Sequence, residues 1–83
     1  MKRQLTYTRQ AVKERRYVPA KVLARIDAAL KSYAAEPARA RNVKKLKGRD
    51  EWRIRVGDWR VIFVDDGETV CVLSIRSRGS AYR

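Results

Sequence analysis

The chain has 83 residues, with 21 Lys plus Arg against 9 Asp plus Glu, a net charge of +12, one cysteine and no histidine. That length makes one small domain spanning residues 1–83, and the lone Cys71 excludes a disulfide framework or a cysteine metal cluster. The absence of histidine removes imidazole-based triads, paired-imidazole nuclease chemistry and His-ligated zinc.

The charge is spread along the chain. Residues 1–41 carry 11 basic and 3 acidic groups (+8), and residues 42–83 carry 10 and 6 (+4). A domain basic throughout seeks a polyanion, either nucleic acid or an acidic protein. No run approaches membrane-span length, and the basic N-terminus lacks the apolar stretch of a signal peptide. The expected location is the cytoplasm, with no membrane partner.

Leu5 and Tyr7 alternate with Gln4, Thr6 and Thr8, a short strand pattern, and Thr8 can cap a helix over Arg9–Tyr17. Pro19 suits the first turn of a second helix, because that position has no amide partner to lose. From there Val22, Leu23, Ile26, Leu30 and Tyr33 recur at helical steps, which predicts a helix over Ala20–Ala35. Asp27 and Lys31 have the spacing of an i,i+4 ion pair. Glu36-Pro37 ends the helix, since the residue before proline avoids helical geometry.

Between Ala38 and Asp50 lies A-R-A-R-N-V-K-K-L-K-G-R-D. Val43 and Leu46 can tuck under a sheet edge while Arg39, Arg41, Lys44, Lys45, Lys47 and Arg49 stay wet. Two readings stand side by side: a solvated loop, or a stretch that guides a nucleic-acid backbone through phosphate neutralisation and counterion release.

The stretch E-W-R-I-R-V-G-D-W-R-V-I-F-V, residues 51–64, alternates with period two on both sides of Gly57-Asp58. This is the pattern of a tight two-residue hairpin. It sets Val56 opposite Trp59, Ile54 opposite Val61 and Trp52 opposite Phe63, all six on a core face. The other face then pairs Arg55 with Arg60 and sets Arg53 beside Ile62. Basic residues on a wet sheet face are ordinary. Three arginines, with no lysine among them and no acid on that strand face beyond Glu51, favour a phosphate-binding wall, because the guanidinium fork fits phosphate oxygens.

Asp65-Asp66-Gly67-Glu68 reads as a turn, without a fourth ligand to make it a calcium loop. Thr69–Arg76 is a final interior strand, alternating Val70, Val72 and Ser74 against Cys71, Leu73 and Ile75. The tail R-S-R-G-S-A-Y-R brings Arg76, Arg78, Tyr82 and Arg83 directly after it.

No glycine-rich nucleotide fingerprint is present, and carboxylates cluster only at turns. No metal or small-molecule cofactor is expected. The remaining arginines, lysines and tyrosines are enough to cleave RNA. Its 2′-hydroxyl needs only deprotonation, charge stabilisation at the phosphorane and protonation of the leaving oxygen. DNA, lacking that hydroxyl, cannot be cut this way.

The order strand, two helices, three strands, together with N-V-K-K-L-K-G, E-W-R-I-R-V-G-D-W-R-V-I-F-V and V-L-S-I-R-S-R-G-S-A-Y-R, resembles the RelE/ParE superfamily of toxins from type II toxin–antitoxin modules. The likeness covers nearly the whole chain. It implies an α+β, microbial-ribonuclease-like fold, with two N-terminal helices packed on an antiparallel sheet of about four strands. It also implies an acidic cognate antitoxin as partner.

RelE-type members cleave mRNA in the ribosomal A site, whereas ParE-type members poison DNA gyrase without catalysis. The RelE pattern implies that Arg53 and Arg55 bind and orient phosphate, joined by Lys44, Lys45 and Lys47, and that Arg60 and Arg78 stabilise the phosphorane. Tyr82 would act as base or stack on the substrate base. The ribosome and mRNA are then the expected partners. Two departures stand out: arginine replaces the lysine pair of the RelE prototype on the first hairpin strand, and Ser77 stands where many relatives carry histidine.

Overall fold

Thr8 ends the first strand and starts the first helix. Its Oγ1 accepts the Ala11 amide at 3.1 Å and donates to the Leu73 carbonyl at 2.9 Å. One side chain therefore caps a helix and ties it to the last strand. The computed structural model describes residues 2–77. In chain order these form β1 (Gln4–Tyr7), α1 (Arg9–Arg15), α2 (Ala20–Ala35), a 3-10 turn (Pro37–Arg39), β2 (Val43–Lys45), β3 (Trp52–Val56), β4 (Trp59–Asp65) and β5 (Thr69–Ser77).

Helix α1 stops two residues before the expected Tyr17. The amides of Arg16, Tyr17 and Val18 each bond three residues back, tightening the last turn. Pro19 lies just outside α2 as its N-cap, and its carbonyl accepts the Leu23 amide at 2.9 Å. The expected stripe holds: Ile26, Leu30 and Tyr33 are buried, and Val22 and Leu23 pack against the core. Asp27 does not pair with Lys31. Its carboxylate instead takes a two-pronged bond from Arg15, at 2.6 and 3.1 Å, and that guanidinium lies 5.0 Å from the Tyr7 ring centroid. A planar fork already oriented by an aromatic ring outcompetes a flexible lysine one helical turn away.

The sheet has the order β1-β5-β4-β3-β2. The α+β class is as expected, but the sheet is mixed and five-stranded rather than antiparallel with about four strands. β1 runs parallel to β5, pairing Gln4 with Thr69 through Tyr7 with Val72. The additional strand is β2, three residues against the edge of β3. Its two lysines keep that edge wet, a common guard against further strand pairing.

A bulge interrupts β5. Ile62 pairs with Ser74 but Phe63 pairs with Val72, so Leu73 has no partner on β4. The extra residue inverts the side-chain alternation. Val70 and Val72 before it and Ile75 after it all reach the core, while Ser74 and Arg76 face away.

The core lies between the helices and one face of the sheet. Ala11, Val18, Ile26, Leu30 and Tyr33 meet Ile54, Val56, Val61, Phe63, Val70, Val72 and Ile75. Phe63 is fully buried, with its ring 4.8 Å from that of Tyr33 in an edge-on arrangement. Burial of such a ring is worth about 1.5–3 kcal/mol. Trp52 and Trp59, expected in the core, sit half-buried at its margin. Among the described residues no helix is long and apolar enough to cross a membrane.

Candidate phosphate-binding face

The β3–β4 hairpin turns at Gly57, whose φ of +57° is a conformation that side-chain-bearing residues rarely adopt. The ladder follows the register read from the sequence: Val56 with Trp59, Arg55 with Arg60, Ile54 with Val61, Arg53 with Ile62 and Trp52 with Phe63. With the helices on the other side, the sheet face opposite the core carries two rows of residues. Arg55, Arg60 and Arg76 cross β3, β4 and β5 in one. Lys44, Arg53, Ile62 and Ser74 cross β2 to β5 in the next. Directly opposed residues bring their Cβ atoms to roughly 5 Å, so these side chains form one cationic wall.

Partners on this wall are uneven. Arg76 gives its Nε–H to Glu14 at 3.0 Å. Arg53, Arg55 and Arg60 have no acidic partner among the described residues. The Nε atom of Arg53 is buried and bonded to nothing. A buried guanidinium nitrogen left without an acceptor is costly unless an anion or a water completes it.

Arg53 also forms part of a cleft of about 890 Å³ between β3 and the β2–β3 loop, where Lys44, Lys45, Lys47 and Arg49 outnumber the single acid Asp50. A smaller hollow of about 110 Å³ lies between Arg55 and Arg60 beside the turn, with Asp58 in its lining but in no ion pair with either arginine. The β2–β3 loop is held closed by the Leu46 amide on the Glu51 carbonyl at 2.9 Å.

Sequence-predicted residues are thus placed as follows. Arg53, Arg55, Arg60 and Lys44 come together on the wall. Lys47 lines the cleft from the loop. Lys45 alternates away from Lys44 and sets its ammonium 5.9 Å from the Trp52 ring centroid. Arg78 and Tyr82 lie outside the described residues.

Two described tyrosines have shifted phenols, both upward. Burial raises Tyr7, with Arg15 opposing and Asp27 adding to the rise. Burial first, and then the Asp65 carboxylate, push Tyr33 up to about 12. Neither suits a general base near neutral pH.

Sequence reasoning missed Arg76 as a member of the wall, because the bulge at Leu73 is not visible in the alternation. It missed Glu14 as well, which nothing in α1 distinguished from an ordinary solvated acid. Among the described residues no group of three or more His, Cys, Asp or Glu is placed to hold a metal.

The family model for the ParE toxin of the type II toxin–antitoxin system parDE matches residues 5–82. No curated protein sequence matches. Among solved structures, the RelB–RelE antitoxin–toxin complex from Methanococcus jannaschii is 25% identical over 93% of this chain and 94% of that chain, with a TM-score of 0.78. The archaeal RelE–RelB complex from Pyrococcus horikoshii OT3 is 27% identical over 95% and 98%, with a TM-score of 0.78. The YoeB/ParE toxin from Agrobacterium tumefaciens shares the fold at 17% identity over 89% and 96%, with a TM-score of 0.76.

Proposed function

The chain belongs to the ParE toxin family of type II toxin–antitoxin systems, and from that premise we propose that it is a ribosome-dependent endoribonuclease that arrests translation by cutting mRNA. The observation that carries this reading is the wall on which Arg53, Arg55 and Arg60 stand together without acidic partners among the described residues. Cations held on a rigid hairpin without a bonded acid suit the charge that develops on a phosphorane.

In the proposed reaction the 2′-oxygen of the substrate attacks the adjacent phosphorus, the bond to the 5′-oxygen breaks, and that oxygen takes up a proton from water as it leaves. The product ends are a cyclic phosphate and a 5′-hydroxyl. Arg53 and Arg55 bind and orient the scissile phosphate. Arg60 and Arg78 take up the charge of the phosphorane. Tyr82 removes the 2′-proton or stacks on the substrate base. Lys44 and Lys47 steady the flanking backbone, with Lys45 at the rim of the same cleft. No metal enters the scheme.

The unit acts as one domain, in the cytoplasm, and an acidic antitoxin neutralises it by covering basic surface. The two archaeal relatives were solved as complexes with RelB antitoxins, which supports such a partner.

A second reading has its own support, since the matching family model is named for ParE. In that reading the chain binds DNA gyrase and cuts nothing. Induction of the toxin, with mRNA 5′ ends mapped against DNA-damage markers, separates the two. The direct assay is cleavage of mRNA on programmed ribosomes with free RNA as control. Damage markers without new 5′ ends would replace the nuclease with the gyrase inhibitor.

A further inference from the structure

Glu14 is the acid that reaches the cationic wall from α1. Its two carboxylate oxygens are both occupied from β5. Oε1 accepts the backbone N–H of Ile75 at 2.9 Å, and Oε2 accepts the Nε–H of Arg76 at 3.0 Å. Gln10, one turn earlier on α1, adds its side-chain amide to Oε2 at 3.1 Å.

The place of this clasp in the sheet explains it. β1 covers the outer edge of β5 only as far as Val72. Beyond that point the edge of β5 is bare of strand, and α1 takes over through Thr8 on the Leu73 carbonyl and Glu14 on the Ile75 amide. The side chain of Glu14 is 16% exposed and that of Arg76 49% exposed. The inner edge of the guanidinium is therefore anchored while its outer part remains open to solvent, directly across the ladder from Arg60.

We propose that Glu14 is a positioning residue that seats Arg76 beside Arg60 as a further phosphate-contacting cation of the RNA-binding wall. The inference rests on the nuclease reading only for its choice of RNA as ligand. A long arginine side chain loses rotamer freedom when it binds, and a clasp made in advance removes that cost from the binding step. The Nε edge is held, and the terminal nitrogens are left to meet phosphate.

The proposal predicts a sign that charge counting does not. Removing an acid from the edge of a basic wall should strengthen polyanion binding. If Glu14 seats Arg76, removing its charge should weaken that binding. Glu14→Gln is the informative change. Its amide oxygen still accepts the Ile75 N–H, while its NH2 group turns a donor towards the Arg76 donor.

The test uses the purified chain with a 2′-O-methylated single-stranded oligoribonucleotide, which binds but cannot be cut, across a range of salt. Arg76→Ala is expected to lower affinity roughly fourfold near 0.15 M salt and to flatten the log–log salt dependence by about 0.7, the loss of one phosphate contact. Glu14→Gln is expected to lower affinity by a similar or smaller factor. In the Arg76→Ala background the same change should have no effect or raise affinity. An increase or no change from Glu14→Gln alone overturns the proposal, as does an equal loss in both backgrounds, which marks a purely structural role.

Arg76→Lys keeps the charge but loses the Nε–H, and carries the test should Glu14→Gln fail to fold; affinity equal to the unaltered chain then overturns the idea. Absence of RNA binding by the unaltered chain overturns the inference and leaves the nuclease reading to the ribosome assay. RNA binding without cleavage on programmed ribosomes sinks that reading alone.

Discussion

Arg55 and Arg60 face each other directly across the β3–β4 ladder, two permanent positive charges on neighbouring strands. Like charges so placed destabilise a sheet by about 0.2–1 kcal/mol, towards the lower end where water screens them. Replacing Arg55, the more exposed of the two, should therefore relieve strain in the free protein while removing a phosphate ligand. Arg55→Gln is expected to be as stable as the parent or up to about 1 kcal/mol more stable in low-salt urea denaturation. The gain should shrink at high salt, and toxicity should fall. A destabilised Arg55→Gln would show that the arginine stabilises the fold rather than serving a ligand.

Arg60 is the wall residue with guanidinium neighbours on both sides in its row, Arg55 and Arg76. As a stabiliser of transition-state charge, its removal in Arg60→Ala should reduce ribosome-dependent cleavage by about 10²–10³-fold. Tyr82→Phe deletes the hydroxyl that serves as base and should cost on the order of 10²–10⁴-fold if that role is correct. Stacking alone would leave Tyr82→Phe nearly active. Both variants should relieve growth arrest and still bind the antitoxin, whose affinity is measured separately by calorimetry. Full toxicity in both removes the catalytic assignment.

The residues that were legible in the sequence are those whose geometry is set locally. The hairpin reads out residue by residue because strict alternation and one glycine at the turn fix its register, and the wall of Arg53, Arg55 and Arg60 follows from that register alone. Helix α2 was equally plain from its apolar spacing. What sequence could not supply are decisions made by distant partners. β2 is three residues long with one apolar side chain, too short for periodicity, and exists because β3 offers an edge. The bulge at Leu73 reassigns Ile75 to the core and Arg76 to the wall, and it is tied to α1 by Thr8, 65 residues earlier. Spacing along the helix offers Lys31 to Asp27, whereas its partner, Arg15, comes from α1.

That exchange of partners makes a stability prediction. Asp27 and Arg15 hold the two helices together through paired bonds at 2.6 and 3.1 Å, with both side chains under a third exposed. Losing a charge-assisted, half-buried pair of this kind should cost about 1–2 kcal/mol after allowance for solvent screening. Asp27→Ala is then expected to lower Tm by roughly 4–15 °C for a domain of this size. Lys31→Ala, at an exposed position with no acid partner among the described residues, should stay within about 0.5 kcal/mol of the parent. Equal effects from the two changes would restore the Asp27–Lys31 pair that sequence spacing suggests.

Asp65 joins three elements and should leave its mark on acid stability. Its carboxylate takes the Arg3 Nε–H at 2.8 Å, the Tyr33 hydroxyl at 2.7 Å and the Gly67 amide at 2.9 Å. Burial by itself would raise this carboxyl, but the bonds from Tyr33, Gly67 and Arg3 together outweigh it and hold Asp65 below the ordinary carboxylate range. A folded-state value below the unfolded value of about 3.9 means the unfolded chain takes up the proton first. The contribution of Asp65 is therefore fully present above about pH 4 and is lost as pH falls towards the folded value. Tyr33, pushed up to about 12, keeps its proton throughout that window and remains a donor. Asp65→Asn should be less stable than the parent at pH 7 by about 1–3 kcal/mol. The difference should narrow as pH falls below about 4, as the parent loses the same charge. Asp66 is also held low, chiefly by the backbone amides of Thr69 and Glu68, with the neighbouring Asp65 charge opposing; in Asp65→Asn it is therefore held lower still, which offsets a small part of the loss at neutral pH. Urea denaturation of the pair at pH 7, 4, 3 and 2.5 reads this directly, and a gap that stays constant with pH would place the strength of the contact in its shape rather than its charge.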